Sequence, residues 1–247
     1  MLAATATLEQ PGELEQTRTV MRLFVVFLCF LMVSYTFALP IAARVLPAHL
    51  TSSVVTFPLT LLWFGVAWVL VRRTDLPLAY FGVTTQGWWS SMPQTLVWTL
   101  AGCAGATLLK LVLIGIDGAF AHERLFDLAG LLDPRTTRAQ LQVALWLAAA
   151  YAVTAPLQEF IVRAGLQTAL ERCLAGPASG VRSIVLSNAI FASAHVHLSL
   201  NFALVAFVAG LSWGALFARQ RQLVGVSTCH LLVGWFAFLV VGFEPWY

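Results

Sequence analysis

Charged side chains are scarce in this chain, and that scarcity excludes most classes of protein. Only 10% of the 247 residues are charged, whereas 60% are hydrophobic. A soluble globular domain carries about 25% charged residues, so the composition predicts an integral membrane protein. Most of the 14 basic residues lie at the ends of apolar runs, and they form no basic stripe. We therefore expect the lipid bilayer as a partner and no nucleic acid.

Cysteine is also scarce. The four cysteines lie in or beside apolar stretches, without the spacing of a disulfide framework or a metal site: Cys29, Cys103, Cys173 and Cys229. We interpret them as small buried hydrophobic residues. The HExxH spacing that places two zinc-binding histidines on one helix face is absent from the sequence. We expect no cofactor.

Seven apolar segments follow a polar start. They fall at about 21–43, 52–71, 93–116, 139–170, 182–196, 200–218 and 222–243. A helix needs about 20 residues to cross the hydrocarbon core, and the fifth segment is the shortest. The pattern predicts an all-α, polytopic transmembrane helix bundle of about seven membrane helices. Residues 1–20 are expected to form a polar cytoplasmic tail, and residues 21–247 a single transmembrane domain.

Basic residues next to the segments predict the orientation, because Lys and Arg concentrate in cytoplasmic loops. With the N-terminus inside, eight arginines flank the cytoplasmic ends: Arg18, Arg22, Arg72, Arg73, Arg172, Arg182, Arg219 and Arg221. Four then lie outside: Arg44, Arg124, Arg135 and Arg138. We expect a bacterial inner-membrane protein with a cytoplasmic N-terminus.

The fourth segment contains two charges well inside an apolar helix. Each charged side chain costs about 2.5–3.5 kcal/mol near the bilayer centre on insertion scales. Glu159 and Arg163 are four residues apart, so on a helix they share a face and can pair. Pro156 predicts a kink just before Gln158. Lys110, deep in the third segment, is either a counter-ion for Glu159 or a snorkelling lysine.

Two histidines lie at a depth similar to that of Glu159. Glu159 is 13 residues from Arg172, His195 is 13 from Arg182, and His230 is 9 from Arg221. At a rise of about 1.5 Å per residue, these side chains lie about 20, 20 and 13 Å from the cytoplasmic ends. We predict that the three face one cavity within the bundle, reachable from the cytoplasmic half.

A carboxylate with two imidazoles among apolar helices suits hydrolysis, because one group can take a proton from water while another donates to the oxyanion or leaving group. The alternative interpretation is structural: the carboxylate and Arg163 form a stabilising ion pair, and the histidines are satisfied core residues. Two further polar residues share faces with the histidines. Asn188 is placed to orient His195, and Ser227 is placed to donate near His230.

Three short motifs resemble those of a known family. Gln158-Glu159-x-x-x-Arg163, Phe191-x-x-x-His195 and His230, which follows Phe207-x-x-Gly210-x-x-x-Gly214, are similar to the EExxxR, FxxxH and HxxxN motifs of the CPBP family. These are the CAAX prenyl protease-like and bacteriocin-processing (ABI) intramembrane proteases. The resemblance covers about residues 139–240.

The resemblance implies a metal-free glutamic endopeptidase that acts within the membrane. By position, Glu159 is the second Glu of the first motif, His195 the water-side histidine and His230 the oxyanion-side histidine. The chain departs from the family where Gln158 replaces the first Glu and Gly234 replaces the Asn. Because a glutamine cannot act as a general base, either Glu159 takes over that role or hydrolysis is lost.

Three functions therefore remain open from the sequence. The first is an endopeptidase that cleaves a membrane-associated peptide or protein by Glu/His-activated water. The second is a catalytically lapsed member of the family that binds a membrane peptide, in immunity or assembly. The third is a proton-coupled transporter that uses Glu159 and the histidines as a relay.

Overall fold

The protein is helical throughout the part of the chain that the structure describes. The computed structural model describes residues 11–45, 48–118, 120–128, 137–174 and 176–243, and these contain no strand. Eight α-helices follow one another: α1 Pro11–Val45, α2 Ala48–Arg72, α3 Trp88–Ile116, α4 Arg138–Glu159, α5 Thr168–Cys173, α6 Ser179–Ser193, α7 Leu200–Gln220 and α8 Leu223–Trp235. A short 3₁₀ helix, Leu78–Phe81, precedes α3, and π-helical segments follow α4 (Phe160–Gln167) and α8 (Phe236–Val240). The predicted all-α fold is confirmed.

Five helical stretches are long and apolar enough to cross a membrane: Thr19–Ala38, Trp88–Ile116, Ala144–Cys173, Leu200–Gln220 and Leu223–Val240. The predicted second segment corresponds to a shorter apolar helix, Phe57–Arg72. The predicted fifth corresponds to the 15 residues of α6. Together these seven segments agree with the predicted polytopic bundle of about seven membrane helices.

Helix α1 begins at Pro11, inside the stretch expected to be a polar tail. Proline suits the first turn of a helix because its missing N–H would have no intrahelical partner there. Residues 1–10 lie outside the described residues, as does Arg135 of the predicted outer flank. The division into a tail and one transmembrane domain stays a prediction.

A kink was predicted just before Gln158, but the departure from α-helical geometry begins at Phe160. Helix α4 continues through Pro156 to Glu159, and the π-helical stretch Phe160–Gln167 follows directly. All eight of these π-helical residues are buried. π-helical turns inside longer helices occur frequently at functional sites, and this one begins at the residue after Glu159.

The helices pack so that the π-helical extension of α4 lies in the interior. Helix α8 packs against α3 and α4, helix α6 packs against α7, and α1 covers α2 and α5. Large apolar side chains remain exposed on the outer faces, among them Phe30, Leu108 and Trp146. Exposed apolar surface of this extent suits contact with lipid.

Candidate active site

Glu159 forms two hydrogen bonds with charged or polar side chains in the interior. Its Oε2 accepts a hydrogen bond from Arg163 Nε at 2.9 Å, and its Oε1 accepts one from His230 Nδ1 at 2.7 Å. The exposed fractions of Glu159, Arg163 and His230 are 1%, 0% and 3%. The predicted pairing of Glu159 with Arg163 is therefore present. It gives the buried carboxylate the opposite charge and the hydrogen bonds that burial requires.

The Arg163 guanidinium links three helical segments. Its Nη1 donates to Gln167 Oε1 at 3.3 Å, and its Nη2 donates to Asn188 Oδ1 at 3.0 Å and to the Gly210 carbonyl oxygen at 3.1 Å. Arginine suits such a position because its rigid fork presents five donors and stays charged. The pair with Glu159 is thus also the point at which α6 and α7 are fastened to the π-helical segment.

The glycine spacing of α7 is explained by this network. A Cβ at Gly210 would lie 2.2 Å from Asn188 Oδ1, and a Cβ at Gly214 would lie 3.1 Å from Arg163 Nη1. The Gly214 carbonyl oxygen also accepts a hydrogen bond from Gln167 Nε2 at 3.1 Å. Close approach of the α7 backbone therefore lets the buried polar side chains reach main-chain acceptors.

Gly210→Ala is expected to destabilise the protein by about 1–3 kcal/mol, because overpacking a filled interior displaces its neighbours. Here the displaced group is the Asn188 amide that accepts from Arg163. The measurement is the thermal unfolding midpoint in detergent. Gly105→Ala is the matched control, since a Cβ there meets nothing within 4 Å. Equal midpoints for the two variants would contradict the packing argument.

The His230 imidazole is fixed by its neighbours on two sides. A carboxylate oxygen only accepts hydrogen bonds, so Nδ1 carries the proton that is donated to Glu159 and Nε2 keeps a lone pair in the neutral ring. The Trp213 ring stacks on the imidazole, with centroids 3.7 Å apart and planes 20° apart. The ring thus has one tautomer and one orientation, with Nε2 as its free acceptor.

His195 lies beside this pair but makes a different contact. Its Nδ1 donates to the Phe191 carbonyl oxygen at 2.8 Å, which also leaves Nε2 with the lone pair. The Phe191 ring is 4.6 Å from the His195 ring and 6.3 Å from the His230 ring, measured between centroids. The imidazole that contacts Glu159 is therefore His230, whereas the resemblance had assigned the water side to His195.

The two positions at which the chain departs from the family motifs have different surroundings. Gln158 is half-buried, and within the described residues its side chain makes no hydrogen bond. At Gly234 a Cβ would lie 2.1 Å from the Tyr151 hydroxyl oxygen and 2.4 Å from its Cε1. The space of the absent side chain at position 234 is thus filled by a phenol from α4.

For three residues, the contacts in the structure differ from the roles predicted from the sequence. Asn188 was expected to orient His195, but its amide accepts from Arg163 and donates to the Ile184 carbonyl oxygen at 2.6 Å. Ser227 is half-buried, and among the described contacts it makes no hydrogen bond to His230. Lys110 pairs with Glu123 Oε2 at 2.7 Å and donates to the Val241 carbonyl oxygen, so it is neither a counter-ion for Glu159 nor a snorkelling side chain.

Tyr151, Trp213 and Gln167 contact the site residues but were not predicted from the sequence. Gln167 could have been found, because it continues the four-residue spacing of Glu159 and Arg163. Trp213 and Tyr151 carry no such signal. The two pockets that the structure describes are lined by other residues, about Phe24 and Gly165 in one and about Thr84 and Leu223 in the other. A common cavity for Glu159, His195 and His230 stays a prediction.

A buried carboxylate held between a guanidinium and an imidazole, inside a bundle of apolar helices, defines a membrane-embedded protein with a candidate hydrolytic centre. Residues 140–236 match the model of a family described as type II CAAX prenyl endopeptidase Rce1-like. The match includes Glu159, Arg163, His195 and His230, and the resemblance to the CAAX prenyl protease-like family is confirmed. Residues 140–236 are thus similar to that family, and the protein is an integral membrane protein. The comparisons with curated proteins and with solved structures gave no match.

Proposed function

We propose that the protein is an intramembrane endopeptidase that cleaves a membrane-associated peptide or protein with water activated by Glu159 and His230. The observation that carries this proposal is the hydrogen bond from His230 Nδ1 to Glu159 Oε1, 2.7 Å long and buried. A carboxylate that holds the Nδ1 proton of an imidazole leaves Nε2 as a base and stabilises the imidazolium that forms. The family match to endopeptidases supports the same reaction.

The proton acceptor in this proposal is His230. From the sequence alone, Glu159 was the candidate base, but one of its oxygens accepts from Arg163 and the other from His230. Glu159 therefore acts through the imidazole, and the water proton goes to His230 Nε2.

The reaction balances without any other group. His230 Nε2 takes one proton from water as the water oxygen bonds to the peptide carbonyl carbon. The imidazolium then gives that proton to the amide nitrogen as the carbon–nitrogen bond breaks, which leaves a carboxylic acid and an amine. His195 Nε2, also an acceptor, holds the second hydrogen of the attacking water. Arg163 fixes Glu159, while Asn188 and Gln167 fix Arg163.

The substrate meets the site from within the membrane. The apolar helices that surround Glu159 exclude a soluble, folded substrate, so we propose an extended segment of a membrane-associated peptide or protein. The arginines at the segment ends support a cytoplasmic N-terminus in a bacterial inner membrane. Gln158, half-buried and directly before Glu159, positions the substrate or the water without accepting a proton.

One observation favours a second function. Both oxygens of Glu159 are already engaged within the protein, and Gln158 supplies no further carboxylate. A chain with this site that binds a membrane peptide without cleaving it is the alternative, and the same assay separates the two functions.

The experiment uses the purified full-length protein in lipid nanodiscs. The probes are a farnesylated peptide that ends in a CAAX sequence, the same peptide without the farnesyl group, and the peptides of membranes from the expressing cells. Mass spectrometry is expected to show new peptide ends with the native protein. Co-purification of an uncleaved peptide would indicate the binding function, and pH-driven flux without cleavage would indicate the transporter.

Gln158→Ala is expected to keep most of the cleavage rate, because an amide at this position cannot accept a proton. Gln158→Glu provides the comparison, since it supplies the carboxylate that the family motif has there. The readout is the initial rate of product formation for each variant. Cleavage by Gln158→Glu together with none by the native protein would show that the natural chain has lost hydrolysis.

A further inference from the structure

The Tyr151 phenol lies in a space that depends on a glycine of the opposite helix. Tyr151 is on α4 and Gly234 is on α8, one helical turn after His230. A Cβ at position 234 would lie 2.1, 2.4 and 2.5 Å from three atoms at the hydroxyl end of the phenol. Real atoms do not approach so closely, so any side chain larger than glycine at position 234 would displace the hydroxyl.

The phenol faces the same imidazole that Glu159 holds. The Tyr151 and His230 rings meet edge to face, with centroids 5.8 Å apart and planes at 77°. The ring also packs edge to face on Phe238, which fixes its plane from the other side. Two aromatic contacts and the backbone at position 234 therefore determine where the hydroxyl lies.

The O–H group of Tyr151 is available to donate a hydrogen bond. Among the described residues no hydrogen bond involves the Tyr151 hydroxyl, although the residue is largely surrounded by protein. A protonated phenol donates one hydrogen bond. In a low-dielectric interior, an unused donor has a high affinity for a developing negative charge.

From this arrangement we infer that Tyr151 donates a hydrogen bond to the oxyanion formed during peptide cleavage. This inference rests on the proposed endopeptidase function. As the water oxygen bonds to the carbonyl carbon, the carbonyl π-electrons move to its oxygen, and the Tyr151 hydroxyl stabilises that charge without losing its proton. The electrons return when the carbon–nitrogen bond breaks, and the proton held by His230 leaves with the amine. Tyr151 supplies the oxyanion donor, and His230 acts as the base.

A packing role for the same side chain makes a different prediction. If the phenol only fills the space beside Gly234, its ring suffices and its hydroxyl is dispensable. Tyr151→Phe keeps the ring and both aromatic contacts while it removes the donor. The loss of one oxyanion donor typically lowers kcat by about 10²- to 10³-fold.

The experiment compares the native protein, Tyr151→Phe and Tyr80→Phe on whichever probe peptide the native protein cleaves. Tyr80 lies on the 3₁₀ helix, where its hydroxyl accepts a hydrogen bond from Arg172, so its variant controls for the loss of a tyrosine hydroxyl away from the site. We expect Tyr151→Phe to lower kcat by about 10²-fold or more with KM and the unfolding midpoint unchanged. Tyr80→Phe is expected to keep the native kcat.

Equal kcat for Tyr151→Phe and the native protein would overturn the role of Tyr151 while leaving the endopeptidase intact. Failure of the native protein to cleave any probe would overturn the proposed function and this role with it.

Discussion

Glu159→Gln is expected to lower the rate of peptide cleavage by about 10²- to 10⁴-fold, the range over which positioned acid–base groups act. The amide is nearly the same size as the carboxylate but carries no charge. It cannot stabilise the imidazolium of His230, and its NH₂ group can turn toward Nδ1 and favour the wrong tautomer. The measurement is the initial rate of product formation by mass spectrometry, with the purified variant in nanodiscs.

The control for this variant is the neighbouring Gln158→Ala, which alters the same helix turn without touching the carboxylate. A second control is the unfolding midpoint of Glu159→Gln, because Arg163 then loses its charged partner. Cleavage products that form at the native rate in Glu159→Gln would refute the proposed mechanism, since neither the base nor its orientation would then depend on the carboxylate.

Arg163→Ala is expected to destabilise the fold by about 3–5 kcal/mol, the usual cost of removing one partner of a buried ion pair. The substitution leaves Glu159 charged without a partner or forces it to take up a proton. It also removes the N–H groups that donate to Asn188 Oδ1 and to the Gly210 carbonyl oxygen. Most proteins have only about 5–15 kcal/mol of stability in total. The folded yield after size-exclusion chromatography in detergent should therefore fall sharply.

Arg73→Ala is the matched control, because Arg73 is an exposed arginine just after the end of α2. Its removal costs little, as exposed charges typically contribute less than about 1 kcal/mol. Normal yield and normal cleavage by Arg163→Ala would show that the guanidinium is not needed to hold Glu159, contrary to the buried network described above.

The sequence predicts those features that depend on composition and on spacing along one helix. Apolar length predicts the membrane segments, because the hydrocarbon core has a fixed thickness. The four-residue spacing predicts that Glu159 and Arg163 share a face and pair, and the structure has that pair at 2.9 Å. Counting residues from the cytoplasmic arginines predicted that His230 lies at a depth similar to that of Glu159. A similar depth is necessary for their contact but does not specify it.

The contacts between helices could not be predicted in this way. Whether Glu159 meets His195 or His230 depends on rotations of α4 and α8 that neither hydropathy nor spacing encodes. The π-helical segment after Glu159 also shifts the facing of every later residue on that helix. Lys110 illustrates the same limit: its depth was evident, but its partner Glu123 lies in a loop whose path the sequence does not give.

Position 234 shows how a departure from a motif can mislead. In the sequence, Gly234 replaces the Asn of the family motif, and a glycine has no side-chain hydrogen-bond donor. The structure places a phenol in that space, contributed by a residue 83 positions earlier in the chain. The sequence alone does not show that the Tyr151 hydroxyl on α4 lies where the Asn side chain would project from α8, because this depends on how the two helices pack.

The central claim is that Glu159 and His230 act as one catalytic unit, and a double-mutant cycle on cleavage rates tests it most directly. The four proteins are the native chain, Glu159→Gln, His230→Ala and the double variant, each checked for its unfolding midpoint. Because Glu159 acts only through the imidazole, the double variant should cleave no more slowly than His230→Ala alone. Effects of the two substitutions that multiply, each lowering the rate independently of the other, would contradict the account.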